Sequence, residues 1–248
     1  MNISIAAEEL FRWGGFPITN TILLTLAISS LLILFSTTFF RKLKKVPGPF
    51  QAAVEVIFES LWNLVGEVAG DERLARKFFP IIATVFFFVL FSNWVELMPG
   101  LGTVGIRHGE EITPFLRSAS ADLNMTLALS LTVVFLVQGI GIATIGVLPY
   151  ARKFLVSPFR KPYGVGTFMG LLELLGEATR VLSFSFRLFG NIFAGEVLLI
   201  VILHLVPFLL PIPFLFLELF VGVVQAAVFS ILTLVFLKMA TLEAEHGH

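Results

Sequence analysis

Five long apolar runs constrain what this chain can fold into more than any other feature of its sequence. A helix rises about 1.5 Å per residue, so about 20 apolar residues cross the roughly 30 Å hydrocarbon core of a bilayer. The sequence predicts spanning helices over residues 21–40, 78–98 and 125–148, and two more within residues 166–240. Strands of a membrane barrel would alternate apolar and polar residues, and these runs do not. We therefore predict an all-α integral membrane protein.

The composition agrees with this prediction and excludes several functions. Hydrophobic residues make up 57% of the chain and charged residues 14%, against about 45–50% and 25% in soluble domains. The net charge is zero, which gives no reason to expect a nucleic-acid partner. The chain contains no cysteine, and this excludes disulfides, thiolate metal sites and a cysteine nucleophile. We expect no cofactor and no metal.

The distribution of Lys and Arg predicts which way the chain faces. Cytoplasmic loops of membrane proteins carry an excess of these residues. Basic residues concentrate in residues 41–77 and 152–161 and at Lys238, whereas the alternate segments hold only Arg12, Arg107 and Arg117. Residues 1–20 form an outer N-terminal segment that lacks the basic region and cleavage site of a signal peptide. We expect a bacterial inner-membrane protein with its N-terminus outside and its C-terminus in the cytoplasm.

Residues 47–70 have the pattern of an amphipathic helix on the cytoplasmic surface. Their Phe, Ile, Leu, Trp and Val side chains can lie in the membrane interface while Glu55, Glu59 and Glu67 stay in water. A helix that packs on its own bundle would show the same pattern, and the sequence does not decide between these two interpretations.

Polar and ionisable side chains at membrane depth cluster in the last two apolar segments. Each charge there costs roughly 2.5–3.5 kcal/mol on insertion scales, and such residues usually mark ion pathways or paired sites. The cluster comprises Glu173, Glu177, Arg180, Arg187, Asn191, Glu196, His204, Glu218 and Gln225. Helical periodicity groups some of them with the hydroxyl of Ser183 into one polar stripe, which consists of Glu173, Arg180, Ser183, Arg187 and Asn191. Glu196 falls on the opposite side of the helix.

The last two segments are longer than a bilayer requires. A straight helix over residues 166–204 would be about 58 Å long, nearly twice the hydrocarbon thickness. We therefore predict a long, slanted antiparallel helical hairpin over residues 166–240, tilted or kinked near Gly190 or Gly195. Pro207, Pro211 and Pro213 mark the turn between its two helices.

Arg187 suggests a mechanism because its guanidinium stays charged in any protein environment. It cannot relay protons by titration, but it can hold a nearby carboxylate in its ionised form. No acid of this chain lies four residues from it on the same face, so its partner is expected on another subunit. Acids on either side of Arg187 would line two separate water paths. Ions would pass from one path to the other only on a carboxylate of the other subunit that moves between them.

At these residues the chain resembles subunit a of the F-type ATP synthase. The resemblance rests on the motif SFRLFGNIFAGE at residues 185–196, on Gln225 with LTLVFL at residues 232–237, and on ADLNMT at residues 121–126. Residues 79–93 also look like the family. The likeness covers nearly all of the chain after about residue 20, and the arginine motif is highly specific.

The resemblance implies a stator subunit with two proton half-channels. Arg187 would meet the carboxylates of a ring of c subunits, with Asn191 and Gln225 beside it. Glu196 and Glu218 would line the outer half-channel and Glu173 with Ser183 the inner one. Apart from the resemblance, the residues themselves allow a structural ion pair of Arg180 with Glu173 or Glu177. Some members have a histidine at the position of Glu196 or Glu218, and this chain has Glu at both. Implied partners are the c ring, b-type peripheral stalk subunits and the rest of the complex, with ATP chemistry on other subunits.

Other interpretations stay open at this point. A proton-coupled secondary transporter also keeps charges near the midplane, and a passive membrane anchor would not need Arg187 at all. Arg187 itself could be paired internally and fix only helix packing. Asn191 and Gln225 could simply hydrogen-bond across the hairpin, and Glu173 could serve only to neutralise Arg180. Protons are expected rather than sodium ions, because the sequence shows no extra cluster of cation ligands.

Overall fold

Helices make up most of the chain that the structure describes. The computed structural model describes residues 9–98, 105–108, 111–114, 119–147, 150, 165–206 and 209–242. Within these residues the six principal helices are α1 (Asn20–Arg41), α2 (Pro49–Ala69), α3 (Glu72–Glu96), α4 (Leu123–Ile145), α5 (Val165–Leu205) and α6 (Pro211–Leu242). The predicted inward segment 152–161, Arg117 and the end of the chain after residue 242 lie outside the described residues.

The prediction of an all-α membrane protein is confirmed. Five of these helices (α1, α3, α4, α5 and α6) are long and apolar enough to cross a membrane. α5 contains 41 residues and α6 contains 32, and α5 runs without a break through Gly190 and Gly195. A continuous α5 of this length is about 61 Å long, which agrees with the long hairpin that the sequence predicts.

Two short β-hairpins were not predicted from the sequence. Strands β1 (Glu9–Trp13) and β2 (Phe16–Thr19) pair in antiparallel fashion, and so do β3 (Gly105–His108) and β4 (Glu111–Pro114). Gly14 and Gly15 join the first pair with φ angles of +57° and +92°, a conformation that glycine adopts without strain. Within the described residues the spanning segments are therefore helical, one short hairpin precedes α1, and the other lies between α3 and α4.

Helix α2 packs against α3 along part of its length. Its buried residues Leu61, Val65 and Ala69 all lie in its second half and belong to the main hydrophobic core. Near its start, Phe50 and Val56 are exposed. The second half of α2 is thus part of the bundle, and its first half presents apolar side chains to the surroundings.

Gly70 ends α2 in a left-handed conformation, with φ of +70°, and its amide N–H donates to the Gly66 carbonyl at 3.0 Å. We predict that Gly70→Ala lowers the free energy of local opening at the end of α2 by about 1 kcal/mol, because alanine is strained in this conformation. Hydrogen exchange of the last amides of α2 should then be about fivefold faster. Gly66→Ala is the matched control, because a Cβ there meets nothing within 4 Å. Equal exchange in the two variants would contradict the assignment of this cap.

The rest of the core lies between α3, α4, α5 and α6. Its fully buried side chains include Phe78, Ile82 and Val89 of α3 and Phe229, Leu234 and Leu237 of α6. α5 contributes three residues spaced four apart, Phe184, Leu188 and Ile192, and α4 contributes Val133 and Val137. One face of α5 is therefore buried against its own chain.

Polar contacts join the helices at one end of the bundle, which we call the Asp122 end. Asp122 caps α4 and also accepts a hydrogen bond from the Thr21 hydroxyl of α1 at 3.0 Å. Asn93 of α3 accepts from Ser120 at 2.8 Å and donates to the Gly222 carbonyl of α6 at 3.2 Å. Buried polar groups need partners, and here those partners fix where the helices meet.

A single lysine connects two helices at the opposite end, which we call the Lys238 end. Lys238, near the end of α6, donates from its ammonium group to the Ala69 carbonyl at the end of α2. Carbonyl groups in the last turn of a helix lack intrahelical partners and carry partial negative charge. Lys238 supplies both a hydrogen bond and a favourable charge at this position.

Candidate ion-translocation site

Arg187 lies on a side of α5 that the described part of the chain leaves uncovered. Its side chain is exposed, and its Nη2 donates to the Ser183 hydroxyl one turn earlier, at 3.4 Å. Within the described part of the chain it makes no ion pair. The neighbouring Leu188 is buried and holds this turn of α5 against the core. A permanent positive charge is thus presented outward by a fixed helix.

Two serines on either side of Phe184 have opposite environments. Ser183 is exposed beside Arg187, whereas Ser185 is buried and lies 3.0 Å from the Thr126 hydroxyl of α4. The sequence shows both as hydroxyls near Arg187 but does not distinguish their surroundings. The contact between Thr126 and Ser185 was not predicted, and the only sequence signal for it is a small polar residue on the buried face of α5.

An amide pair crosses the hairpin one turn beyond Arg187. Asn191 donates from Nδ2 to the Gln225 Oε1 of α6 at 2.7 Å. Gln225 is 3% exposed, and its Nε2 has no hydrogen-bond partner among the described residues. Asn191 itself is exposed. The pair therefore links the two helices and places an amide next to the exposed guanidinium.

Arg180 makes close contacts within its own chain. Its Nη1 lies 2.6 Å from Oε1 of Glu177 on the same helix, and its guanidinium carbon lies 4.1 Å from the ring centroid of Phe236 on α6. Arg180 and Glu177 therefore form an ion pair, which is one of the pairings that the sequence left open. Arg180 thus differs from Arg187 although both belong to the polar stripe.

The remaining predicted acids lie on either side of Arg187. Glu218 of α6 contacts α5 at Gly195, where the carboxylate occupies the space that a Cβ would fill. Glu218 and the neighbouring Glu196 are half-buried, nearer to the Asp122 end than Arg187 is. Glu173 is also half-buried and lies 14 residues before Arg187, about 21 Å along the helix axis toward the Lys238 end.

The site contains no obvious metal centre. No group of three or more His, Asp and Glu side chains in the described ranges is arranged to hold a metal ion. The polar stripe combines two positive charges with one carboxylate, one hydroxyl and one amide.

Comparison with known proteins identifies the family of this chain. A family model described as ATP synthase A chain matches residues 21–238, a range that includes every residue of the candidate site. The chain belongs to the ATP synthase subunit a family. The resemblance that the motifs indicated is confirmed.

Curated relatives match over most of their length. The ATP synthase subunit a of Moorella thermoacetica is 32% identical over 241 residues, covering 97% of both chains. The protein of Helicobacter pylori strain Shi470 is 35% identical and covers 88% of this chain and 87% of its own. A relative from Propionigenium modestum, named as sodium ion specific, is 34% identical over 94% of this chain and 77% of its own. This subunit a is thus a multi-pass membrane protein of the F-type ATP synthase stator, in a complex with other subunits.

Proposed function

We propose that this chain translocates protons between two half-channels that both reach a ring of c subunits, and that Arg187 keeps the half-channels apart. The observation that carries the proposal is the exposed guanidinium of Arg187, which makes no ion pair within the described residues. A charge that lies at membrane depth without a partner is costly, even where it is exposed on the surface of its own chain. A carboxylate on the neighbouring ring would supply that partner.

The proposed cycle follows from the fixed charge. A ring carboxylate that reaches Arg187 is held ionised, because a nearby positive charge favours the charged form of an acid. When the ring turns, that carboxylate takes a proton from the path lined by Glu196 and Glu218, and another releases its proton to the path of Glu173 and Ser183. Since Arg187 does not titrate, protons do not pass directly between the paths.

Rotation of the ring would then couple proton flow to ATP synthesis on other subunits. One charge that crosses 100 mV releases about 2.3 kcal/mol, so several transfers are needed for each ATP. A ring that accumulates many small steps meets this requirement. Asn191 and Gln225 flank the exchange point, where the buried Gln225 amide supports the exposed Asn191.

The transported ion is proposed to be the proton, with sodium as the second candidate. Sodium is the second candidate because the relative from Propionigenium modestum is named as sodium ion specific. In the described ranges of this chain the acids near Arg187 form no cluster of three that would bind a cation. Dependence of pumping on added sodium distinguishes the two candidates.

The proposed setting is a bacterial inner membrane with the Lys238 end in the cytoplasm and the N-terminus outside. At that end lie basic residues at the end of α1 and in the first turns of α3, namely Arg41, Lys42, Lys44, Lys45, Arg73, Arg76 and Lys77. Loops rich in Lys and Arg stay cytoplasmic. The c ring and b-type peripheral stalk subunits are the proposed neighbours in the complex.

Cysteine cross-linking to the ring tests the contact on which the proposal depends. Ser183→Cys should cross-link to a cysteine placed one turn from the ring carboxylate, because Ser183 is exposed beside Arg187. Ser185→Cys is the matched control, since this position is fully buried. We expect at least about tenfold more product for position 183, because a buried thiol reacts only after local opening. Equal yields, or no product at either position in an assembled complex, would place the ring contact elsewhere.

A further inference from the structure

Two arginines lie on the polar stripe of α5, and only one of them is needed to separate the half-channels. Arg180 and Arg187 are seven residues apart, about 10 Å along the helix axis, and helical periodicity puts them within about 20° of the same face. Because the hairpin is predicted to be slanted across the membrane, a ring carboxylate that is carried past Arg187 would also pass near Arg180. A second free guanidinium there would bind that carboxylate and delay its protonation cycle.

The structure shows that Arg180 is not free. Glu177 lies 2.6 Å from it, and the exposed fractions of the two side chains are 20% for Arg180 and 13% for Glu177. Its guanidinium also lies 4.1 Å from the centre of the Phe236 ring on α6. By contrast, Arg187 is exposed and makes no ion pair within the described residues, and its hydrogen bond to Ser183 is long, at 3.4 Å. Within the described residues, the guanidinium of Arg180 is thus ion-paired and that of Arg187 is not.

Aromatic packing holds Arg180 on the α6 side of α5. Phe236 meets Phe184 edge to face at 5.5 Å, and Phe184 packs against Phe229 at 4.7 Å between ring centres. Phe184 and Phe229 are buried, so the ring beneath Arg180 has a rigid support. A cation over an aromatic face is attracted by its quadrupole, more strongly where water is excluded.

We propose that Glu177 is a positioning residue for ion translocation, whose ion pair with Arg180 withholds that second guanidinium from the ring and leaves Arg187 alone to meet the ring carboxylates. The inference rests on the proposed function. Glu177 neutralises the charge of Arg180, and Phe236 fixes the pair against α6. Neutralisation matters because a charge in a low-dielectric environment acts on an approaching carboxylate far more strongly than it does in water.

The test compares pumping by assembled complexes that carry substitutions in this pair. Glu177→Gln frees the charge of Arg180 and should slow ATP-driven proton pumping about tenfold, a loss that one strong additional electrostatic contact accounts for. Adding Arg180→Gln removes the competing charge and should restore pumping to near the wild-type rate. Glu177→Asp keeps the negative charge and should retain most of the activity.

The control is Glu72→Gln, which removes the acid of an ion pair with Arg76 at the same 2.6 Å, but on the exposed surface of α3. It should leave pumping unchanged. The proposal is overturned if Glu177→Gln alone pumps at the wild-type rate. It is also overturned if the double variant stays as slow as Glu177→Gln, because Glu177 would then act in its own right, for example as a proton carrier.

If Glu177→Gln prevents assembly, Phe236→Leu provides a second test, since it removes the aromatic ring beneath Arg180 and leaves the ion pair with Glu177. We expect a smaller loss of pumping that disappears when Arg180→Gln is added, and a loss that persists in that double variant overturns the proposal. The cross-link at Ser183 reports separately on the proposed function: a wild-type rate in Glu177→Gln with an intact cross-link rejects only the role of Glu177.

Discussion

Arg187→Ala is expected to abolish ATP-driven proton pumping while the complex still assembles. Arg187 is exposed, and within the described part of the chain its one side-chain hydrogen bond is the long one to Ser183, so its loss should leave the packing of α5 intact. Without the fixed charge, the ionised form of an arriving ring carboxylate is no longer favoured, so the carboxylate keeps its proton. We expect a loss of at least about 10²-fold, comparable with removal of one preorganised electrostatic partner at a reacting group.

Two measurements make this result specific. Passive proton permeability of vesicles should rise in Arg187→Ala, because the charge between the half-channels is gone, and decay of an imposed pH gradient measures this. Arg187→Lys should leave more pumping than alanine, since it keeps the charge but lacks the planar, bidentate guanidinium. Arg76→Ala, which removes an exposed arginine of α3, is the control. Pumping near the wild-type rate in assembled Arg187→Ala would refute the proposed mechanism.

Gly195→Ala is expected to have the second largest effect, although alanine normally stabilises a helix relative to glycine. A Cβ at Gly195 would collide with the carboxylate of Glu218. Either Glu218 moves or the two helices of the hairpin separate, and both changes alter the proposed outer path. We expect proton pumping to fall at least about tenfold, in line with the effect of a displacement near 1 Å at a reacting group.

Gly139→Ala in α4 is the matched control, because a Cβ at Gly139 meets nothing within 4 Å. Combining Gly195→Ala with Glu218→Asp shortens the colliding side chain and should recover part of the lost activity. If Gly195→Ala pumps normally, the close approach of Glu218 to α5 does not contribute to the path.

The sequence predicts the spanning helices well because the bilayer fixes their length. It predicts their ends less well, since an apolar run does not show where a helix continues through polar residues. α3 begins at Glu72, capped by the Asp71 side chain, whereas the apolar run begins only at Phe78. The hairpin around Gly14 and Gly15 lies in a short segment without a long apolar run, and the rule that finds spanning helices does not detect it.

For the candidate site, the sequence groups residues on one helix and does not identify their partners on others. Helical periodicity places Arg180 and Arg187 on one face, but it does not show that Arg180 packs over the ring of Phe236 while Arg187 remains exposed. That difference depends on how α5 is rotated against α6, which is set by buried contacts such as that between Phe184 and Phe229. The same rotation gives Ser183 and Ser185 opposite environments.

The contact between Lys238 and the carbonyl of Ala69 has a mechanical consequence for a subunit beside a moving partner. A sideways force on α5 is transmitted to α6 through the packed rings of Phe184 and Phe229. α6 is attached near its far end to α2, and the second half of α2 is seated on α3. If a rotor turns against α5, as proposed, this chain of contacts from α5 through α6 and α2 to α3 would resist its deflection, and the residues that do so are distant from the ion path.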